Sequence, residues 1–543
     1  MNILKFGTAG IRLVMGKNNI DDISKRIIKM DTNIISICTS AVADYLSIKY
    51  NEDISVAISY DNRNNSEKFA IQASSIFNLR GINSYVFDRP TSTPELSYYI
   101  RSHRNVVLGI NITASHNTKE WNGYKVYNEK GCQIGNRECR VIESLANDYL
   151  SRFINDECTC GKIINYNSKI RYINNNFDYD NFFFIDESTS KINRSVIKDK
   201  YNKNNLRILY TNFHGTGIFS FEYAMKNLDI DYDVYEPYRK ISGDFNFKPD
   251  PGDINSYKDI LDYVYSNNKN YDIIIGTDPD ANRVGILVPT KNYYGDYIYN
   301  MVDGNIIGAV LLDYIINNKT VLSCDNYVVK SSVTTKAIND ICDLYGIELV
   351  EVPTGFRNIG ELIDNKDYAN KNFIFGVEES NGYLVDNIIR DKDGISAALL
   401  IIEMYKYLLS TGSDILSYWR GIQRKIDRKY NNEVLSIYKD EKFSIEDIER
   451  FLKEDKTISN LEDEDFNKLK MSVFKEENRI MIVYDTKYEC ESKYIVQIRT
   501  SGTENCLKLY LEYSAPFYSS EKERLFNLRN SFKEVLMSLK TSK

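Results

Sequence analysis

Ser115 has the best-equipped surroundings for chemistry in this chain. It stands in Thr113-Ala114-Ser115-His116-Asn117, with an imidazole beside it and Lys125 ten positions on. The apolar run Val106-Val107-Leu108-Gly109-Ile110-Asn111-Ile112 precedes it and reads as a buried strand. The serine is thus expected on a loop at a strand's end, where α/β proteins place ligands and catalysis. A hydroxyl there needs a partner to act as a nucleophile or to carry a phosphoryl group. A capping serine in an ordinary turn has the same local look.

Three further loops carry complementary groups. Asp278-Pro279-Asp280-Ala281-Asn282-Arg283 follows the apolar Ile273-Ile274-Ile275-Gly276. Two carboxylates and an amide at alternate positions can converge on one hard cation, and Mg²⁺ prefers such oxygen ligands. Arg283 can neutralise a phosphate. Arg499-Thr500-Ser501-Gly502-Thr503 combines a guanidinium fork, hydroxyls and a glycine that lets backbone amides approach an anion. Gly376-Val377-Glu378-Glu379-Ser380-Asn381-Gly382 offers an acceptor and a donor to neighbouring sugar hydroxyls. The Gly-rich opening Phe6-Gly7-Thr8-Ala9-Gly10-Ile11-Arg12 ends on an arginine. Taken alone, each of these is equally a polar turn. Their joint presence is what points to phosphate chemistry.

The elements that must position these loops follow from the pattern of apolar residues. A chain of 543 residues exceeds a single core, so three or four domains are expected. Three stretches alternate strand and helix, the pattern of parallel α/β layers. The first has a helix over about Ile20 to Tyr50 and strands at Ile54–Ser59, Ser84–Phe87 and Val106–Ile112. The second has strands at Leu206–Tyr210, Tyr232–Tyr235 and Asp272–Gly276. The third has helices at Gly304–Ile316, Val333–Leu344 and Gly394–Leu409, with strands at Thr320–Ser323, Glu348–Val352 and Phe373–Gly376. The tail reads as an α+β meander, with strands Arg479–Tyr484, Tyr494–Ile498 and Cys506–Tyr513 before a helix at Ser520–Leu539. Two polar stretches, 165–205 and 427–465, separate units, and Phe182-Phe183-Phe184-Ile185 inside the first is expected to pack.

The bulk numbers exclude several classes. Hydrophobic residues make up 43% and charged residues 27%, as in ordinary globular proteins. A net charge of −7 argues against nucleic acid or an anionic membrane as the main partner. No apolar run of roughly 18 residues suggests a membrane span, and the N-terminus has no signal-peptide core. The nine cysteines are scattered without zinc spacing, which suits free thiols in a cytoplasmic protein. His103 and His214 are read as structural.

Together the motifs resemble the α-D-phosphohexomutase family of phosphoglucomutases and phosphomannomutases, closest to its phosphoglucomutase-2-like and phosphopentomutase-like branch. Phe6–Arg12 with Met15-Gly16, Tyr60-Asp61-Asn62-Arg63-Asn64-Asn65-Ser66, Ser92-Thr93-Pro94-Glu95-Leu96-Ser97, Thr354-Gly355-Phe356 and Arg390-Asp391-Lys392-Asp393-Gly394 carry the likeness in the family's order. The resemblance implies four domains around a central cleft: three α/β domains with mixed sheets, at 1–200, 201–302 and 303–420, and an α+β domain at 421–543. It implies that Ser115 carries the phosphoryl group, that Asp278, Asp280 and Asn282 hold Mg²⁺ together with the serine, and that Arg12, Lys125 and Arg283 surround the reacting phosphate. Thr354, Gly355, Glu378 and Ser380 would meet the sugar, and Arg499, Ser501, Gly502 and Thr503 the second phosphate. Lys125, His116 and Lys392 would be the general acid or base. The implied reaction interconverts glucose 1-phosphate and glucose 6-phosphate, or mannose phosphates, through glucose 1,6-bisphosphate, in a monomer or homodimer. A phosphopentomutase, a glucose 1,6-bisphosphate synthase and a non-catalytic sugar-phosphate binder are the competing expectations. Two departures stand out. Asn282 replaces the usual third aspartate of the metal loop, and Arg357-Asn358 replaces a lysine and an aromatic in a loop that helps select the sugar.

Overall fold

Four sheets follow one another along the chain. The computed structural model describes residues 4–7, 10–18, 27–51, 53–155, 170–173, 184–197, 206–439, 442–455, 466–486, 492–500, 506–518 and 524–539. The first sheet contains β1 (Ile11–Val14), β2 (Ser55–Tyr60), β3 (Asn83–Phe87), β4 (Val106–Ile112), β5 (Trp121–Asn128) and β6 (Arg171–Ile173), in the order β1-β5-β4-β2-β3-β6. The second contains β7 (Ile208–Thr211), β8 (Asp233–Val234), β9 (Ile273–Thr277), β10 (Val284–Lys291) and β11 (Tyr297–Met301), in the order β11-β10-β9-β7-β8. The third contains β12 (Asn326–Ser331), β13 (Glu348–Val352), β14 (Asn372–Glu378) and β15 (Gly382–Leu384), in the order β13-β12-β14-β15. The fourth, β16 (Arg428–Tyr438), β17 (Phe466–Phe474), β18 (Arg479–Thr486), β19 (Lys493–Thr500) and β20 (Cys506–Pro516), is antiparallel throughout, in the order β16-β20-β19-β18-β17.

One device recurs in the first three sheets. A buried parallel strand turns back into an antiparallel neighbour: β4 into β5, β9 into β10, β14 into β15. The loop at each turn lies at the carboxyl end of the parallel strands, where α/β sheets bind ligands. The Ser115, Asp278 and Glu378 motifs occupy these three turns. In the fourth sheet, the Arg499 motif ends β19 before β20.

Several expected elements move. The first helix begins at Thr32, because the Asp31 carboxylate caps it by accepting from the Ile34 amide at 2.9 Å. The strand expected at Thr320–Ser323 is a loop with Val321 89% exposed. The run Asn326–Ser331 takes its place, because Tyr327, Val328 and Val329 fill the core between β13 and β14. Only Asp233–Val234 of the expected Tyr232–Tyr235 pairs as strand. The charged stretch 427–465 contains β16 and the helix Ile445–Glu454. Phe184 and Ile185 are buried in one core with Leu206 and Ile208, and that core runs on into the third sheet. Phe182 and Phe183 lie outside the described residues.

Candidate active site

The Ser115 loop is held from beneath by Asp61 and Arg63, which follow β2, the strand beside β4. Both side chains are fully buried and paired, with Arg63 Nε 3.1 Å from Asp61 Oδ2. The Arg63 guanidinium also donates to the carbonyls of Thr118 at 2.7 Å and Trp121 at 3.0 Å, and to those of Ser115 and Asn117. Asp61 Oδ2 accepts from Thr113 Oγ1 at 2.6 Å, and Thr113 Oγ1 accepts from the Ser115 amide at 2.8 Å. The loop's backbone is thereby fixed with Ser115 in the left-handed region, at φ 53°. Ala281 (φ 53°) and Asn381 (φ 62°) adopt the same conformation in the next two loops. Such residues cost on the order of 1–3 kcal/mol each and persist where packing over-determines them.

Ser115 reaches across to the second unit. Its Oγ donates to Asp278 Oδ2 at 2.6 Å, with His116 Nδ1 3.4 Å away. Asp278 Oδ1 accepts from the amides of Asn282 and Arg283, both at 3.0 Å. Asp280 Oδ2 accepts from Lys125 Nζ at 2.7 Å, Thr93 Oγ1 at 2.8 Å and Asn282 Nδ2 at 2.7 Å. Asp280 Oδ1 and Asn282 Oδ1 are buried and have no partner. An orphaned buried acceptor costs about 1–3 kcal/mol. Two of them beside Asp278 and Ser115 Oγ make an all-oxygen donor set suited to a hard divalent cation. Among the described residues no group of three His, Cys, Asp or Glu could hold a metal ion.

The charges are arranged around that point. Burial and the neighbouring Asp280 push the Asp278 carboxyl well above the usual carboxylate range. Burial also opposes the charge on Asp280, but Lys125 outweighs it and holds that carboxyl below its usual range. Desolvation, then Arg283, Arg12, Lys248 and Lys508, hold His116 well below its ordinary value. The same burial and surrounding cations disfavour the imidazolium form. Arg12 Nη1 donates to Asn117 Oδ1 at 2.7 Å. Burial works against the Arg283 charge, yet Asp250, Asp278, Glu378 and Asp280 together raise its pKa.

The third unit joins through backbone and amide contacts. Asn381 exchanges bonds with Val284, amide to carbonyl, at 3.2 Å in each direction, and the Gly394 amide donates to the Ala281 carbonyl at 3.1 Å. Glu378 Oε1 accepts from the Gly355 amide at 2.9 Å, and its carboxyl is raised by burial against the pull of Lys392. Lys392 Nζ lies 3.2 Å from Asp391 Oδ1 and 5.6 Å from the centre of the Phe356 ring. Thr354 is buried and Ser380 half-buried on the same loops. From the fourth unit, Arg499 is half-buried near the end of β19, opposite Lys508 in register. Ser501, Gly502 and Thr503 lie outside the described residues.

Ser115, His116, Lys125, Arg12, Asp278, Asp280, Asn282 and Arg283 therefore form one group, and Thr354, Gly355, Glu378, Ser380 and Lys392 a second, which meet at Arg283. Residue-type reasoning missed Asp61, Arg63, Thr93 and Lys508 as parts of the site. Lys508 gives no signal in the sequence, because it stands between Leu507 and Leu509, on the face where strand alternation places polar residues. Arg357 departs from expectation. Its guanidinium contacts Asn136 and Cys139 of the first unit.

Models of the phosphoglucomutase/phosphomannomutase family match the chain at 4–152 (alpha/beta/alpha domain I), 183–291 (domain II) and 303–420 (domain III). A phosphomannomutase of Mycoplasmoides pirum is 30% identical, covering 99% of this chain and 92% of the relative. A phosphoglucomutase of Staphylococcus saprophyticus is 28% identical, over 98% and 93%. Two solved structures share the fold. A phosphoglucomutase/phosphomannomutase family protein from Burkholderia thailandensis has a TM-score of 0.66 at 13% identity, over 98% of this chain and 96% of that one. Parafusin, a phosphoglucomutase of Paramecium, has 0.65 at 18%, over 98% and 94%. Among the described residues no helix is long and apolar enough to cross a membrane. Fold, loop geometry and relatives agree: the chain belongs to the α-D-phosphohexomutase family and is a phosphohexomutase, an isomerase that moves a phosphoryl group within a sugar phosphate.

Proposed function

We propose that this phosphohexomutase interconverts glucose 1-phosphate and glucose 6-phosphate through a phosphorylated Ser115, and that it uses Mg²⁺ and a 1,6-bisphosphate. The observation that carries this reading is the 2.6 Å contact from Ser115 Oγ to Asp278 Oδ2, beside the two unpartnered oxygens of Asp280 and Asn282. Asp278, Asp280, Asn282 and Ser115 would hold the cation, which would neutralise charge on the phosphoryl group in transfer.

The chain's own residues do the rest. In the first half, the bond from phosphorus to Ser115 Oγ breaks as a sugar hydroxyl oxygen bonds to phosphorus. The sugar's hydroxyl proton ends on Ser115 Oγ, relayed by His116, Lys125 or Lys392. Asp278 Oδ2 is placed to accept the hydrogen bond of the freed hydroxyl. Arg12, Lys125 and Arg283 meet the reacting phosphate; Glu378, Ser380, Thr354 and Gly355 meet the ring; Arg499, Ser501, Gly502 and Thr503 meet the distal phosphate. In the second half the bisphosphate, turned end for end, returns its other phosphoryl group to Ser115. Catalysis is then positioning plus charge neutralisation.

A panel of glucose, mannose and pentose 1-phosphates, assayed with Mg²⁺, catalytic glucose 1,6-bisphosphate and product identification, tests the assignment. Glucose 1-phosphate is expected to give the highest kcat/KM. Silence on the whole panel would overturn the reading, and release of inorganic phosphate at the same rate would mark a hydrolase.

The metal loop carries its own prediction. Asn282→Asp adds a charge to the donor set but sets a carboxylate against Asp280 Oδ2, to which Asn282 Nδ2 now donates at 2.7 Å. The metal-free variant is expected to melt lower than the parent, and Mg²⁺ is expected to bind about tenfold tighter, since charge count tunes such sites. Calorimetry and thermal melts with and without Mg²⁺ check both. Unchanged affinity would refute this account of Asn282.

A further inference from the structure

We propose that Arg357 is a positioning residue: it fixes the sugar-facing loop of the third unit against the phosphoserine unit. This rests on the reading of Thr354, Glu378 and Lys392 as sugar-facing. The loop is short and heavily used. The Gly355 amide donates to Glu378 Oε1 at 2.9 Å, and the Phe356 ring lies 5.6 Å from Lys392 Nζ. Any shift of this loop therefore moves the seats of both groups.

Arg357 is the next residue, the second of the helix Phe356–Ile363, and only 7% exposed. Its Nη2 donates to Asn136 Oδ1 and its Nη1 to Cys139 Sγ at 3.5 Å, both on the first unit's helix Asn136–Ile154. Its carbonyl accepts from Cys132 Sγ at 3.5 Å. Two glycines let side chains of the opposite unit pack directly on the backbone. A Cβ on Gly135 would fall 2.1 Å from Glu361 Oε1, and one on Gly360 would fall 2.7 Å from Cys132 Sγ. Close approach of this kind is what glycine permits.

The charge balance points the same way. A buried guanidinium is costly unless paired. Arg357 lies in the field of the Glu361 and Glu143 carboxylates. Glu143 Oε1 in turn accepts from the Phe6 amide, in the segment that leads to Arg12. The clamp thus ties the sugar loop to the first unit's helix Asn136–Ile154 and to Cys132 just before it. A second tie lies nearby, where Tyr127 OH donates to Asp391 Oδ2 at 3.0 Å, one residue from Lys392. The sugar-facing groups hang between these two points. A planar, five-donor guanidinium can engage several acceptors at fixed angles, which a lysine ammonium cannot.

The test compares Arg357→Met, Arg357→Lys and Asn136→Ala with the parent protein. Calorimetry with glucose 1-phosphate reads binding whether or not turnover occurs, and steady-state kinetics separate KM from kcat. Arg357→Met is expected to raise Kd and KM on the order of tenfold, through misplacement of the loop, with kcat changed far less and Mg²⁺ affinity unchanged. Arg357→Lys is expected to recover only part of the loss. Asn136→Ala is expected to move KM in the same direction, and the double variant to be no worse than Arg357→Met, because both remove one contact. An unchanged Kd and KM in Arg357→Met, with only a lower melting temperature, would reduce Arg357 to a structural tie and overturn the proposal. A parent protein that binds glucose 1-phosphate but turns over no sugar phosphate would instead count against the proposed function, and the binding data would still decide for Arg357.

Discussion

Ser115→Ala is expected to lower the mutase rate on the order of 10⁴-fold or more, as loss of a nucleophile does in enzymes that form covalent intermediates. The two groups that touch its hydroxyl, Asp278 Oδ2 at 2.6 Å and His116 Nδ1 at 3.4 Å, serve other roles in this account, as a cation ligand and a proton relay. Alanine at φ 53° keeps the cost of about 1–2 kcal/mol that serine already bears there and glycine avoids. Removal of Oγ also leaves Asp278 Oδ2 without its short donor, beside Asp280 in a buried site. Ser115→Gly relieves the backbone strain but not the chemistry, so it should be as inactive as Ser115→Ala. Recovery of activity in the glycine variant would show that loop geometry, and not the hydroxyl, was lost. Steady-state assays of both, with intact mass spectra to follow the phosphoryl group, distinguish these outcomes.

Arg63→Met is expected to be the most damaging change that touches no substrate. It strips the four carbonyls of Ser115, Asn117, Thr118 and Trp121 of a donor and leaves Asp61 buried without its ion-pair partner. Breaking a buried pair on one side costs about 3–5 kcal/mol. The expected result is a loss of that size in the urea unfolding transition, together with a fall in kcat/KM on the order of 10²-fold from a misplaced Ser115. Arg63→Lys should rescue little, since one ammonium cannot reach five acceptors spread over a loop. A loss below about 1 kcal/mol with full activity would contradict the role given to Arg63, since exposed pairs are the ones worth so little.

These two residues mark what the sequence allows to be read and what it hides. The loops of Ser115, Asp278, Glu378 and Arg499 are expected at strand ends because each follows a short apolar run bounded by turn residues, and all four runs are strands. The fold class was legible for the same reason: the alternation of apolar strands with helices predicts α/β layers, and a run of strands at the end predicts a meander. Arg63 was hidden because its partners are backbone carbonyls some fifty residues away, brought near only by the pairing of β2 with β4. Strand β16 was hidden because it is the edge of its sheet, with most of its residues partly or fully exposed, and edge strands carry charge. The loop 320–323 looked like a strand because a short apolar run has no period of its own; its neighbour 326–331 wins by filling the core. The direction of Arg357 was invisible, because nothing in Thr354-Gly355-Phe356-Arg357 tells which of two units the guanidinium will face.

The central claim is that a phosphoryl group passes through Ser115, and one measurement reaches it directly. The protein is incubated with glucose 1,6-bisphosphate bearing a labelled phosphoryl group, freed of excess reagent, and then mixed with glucose 1-phosphate and Mg²⁺. The account predicts that the label first appears on the peptide containing Ser115, then leaves it as sugar bisphosphate at a rate no slower than turnover. Label that never enters that peptide, or that leaves it chiefly as inorganic phosphate, would contradict the account.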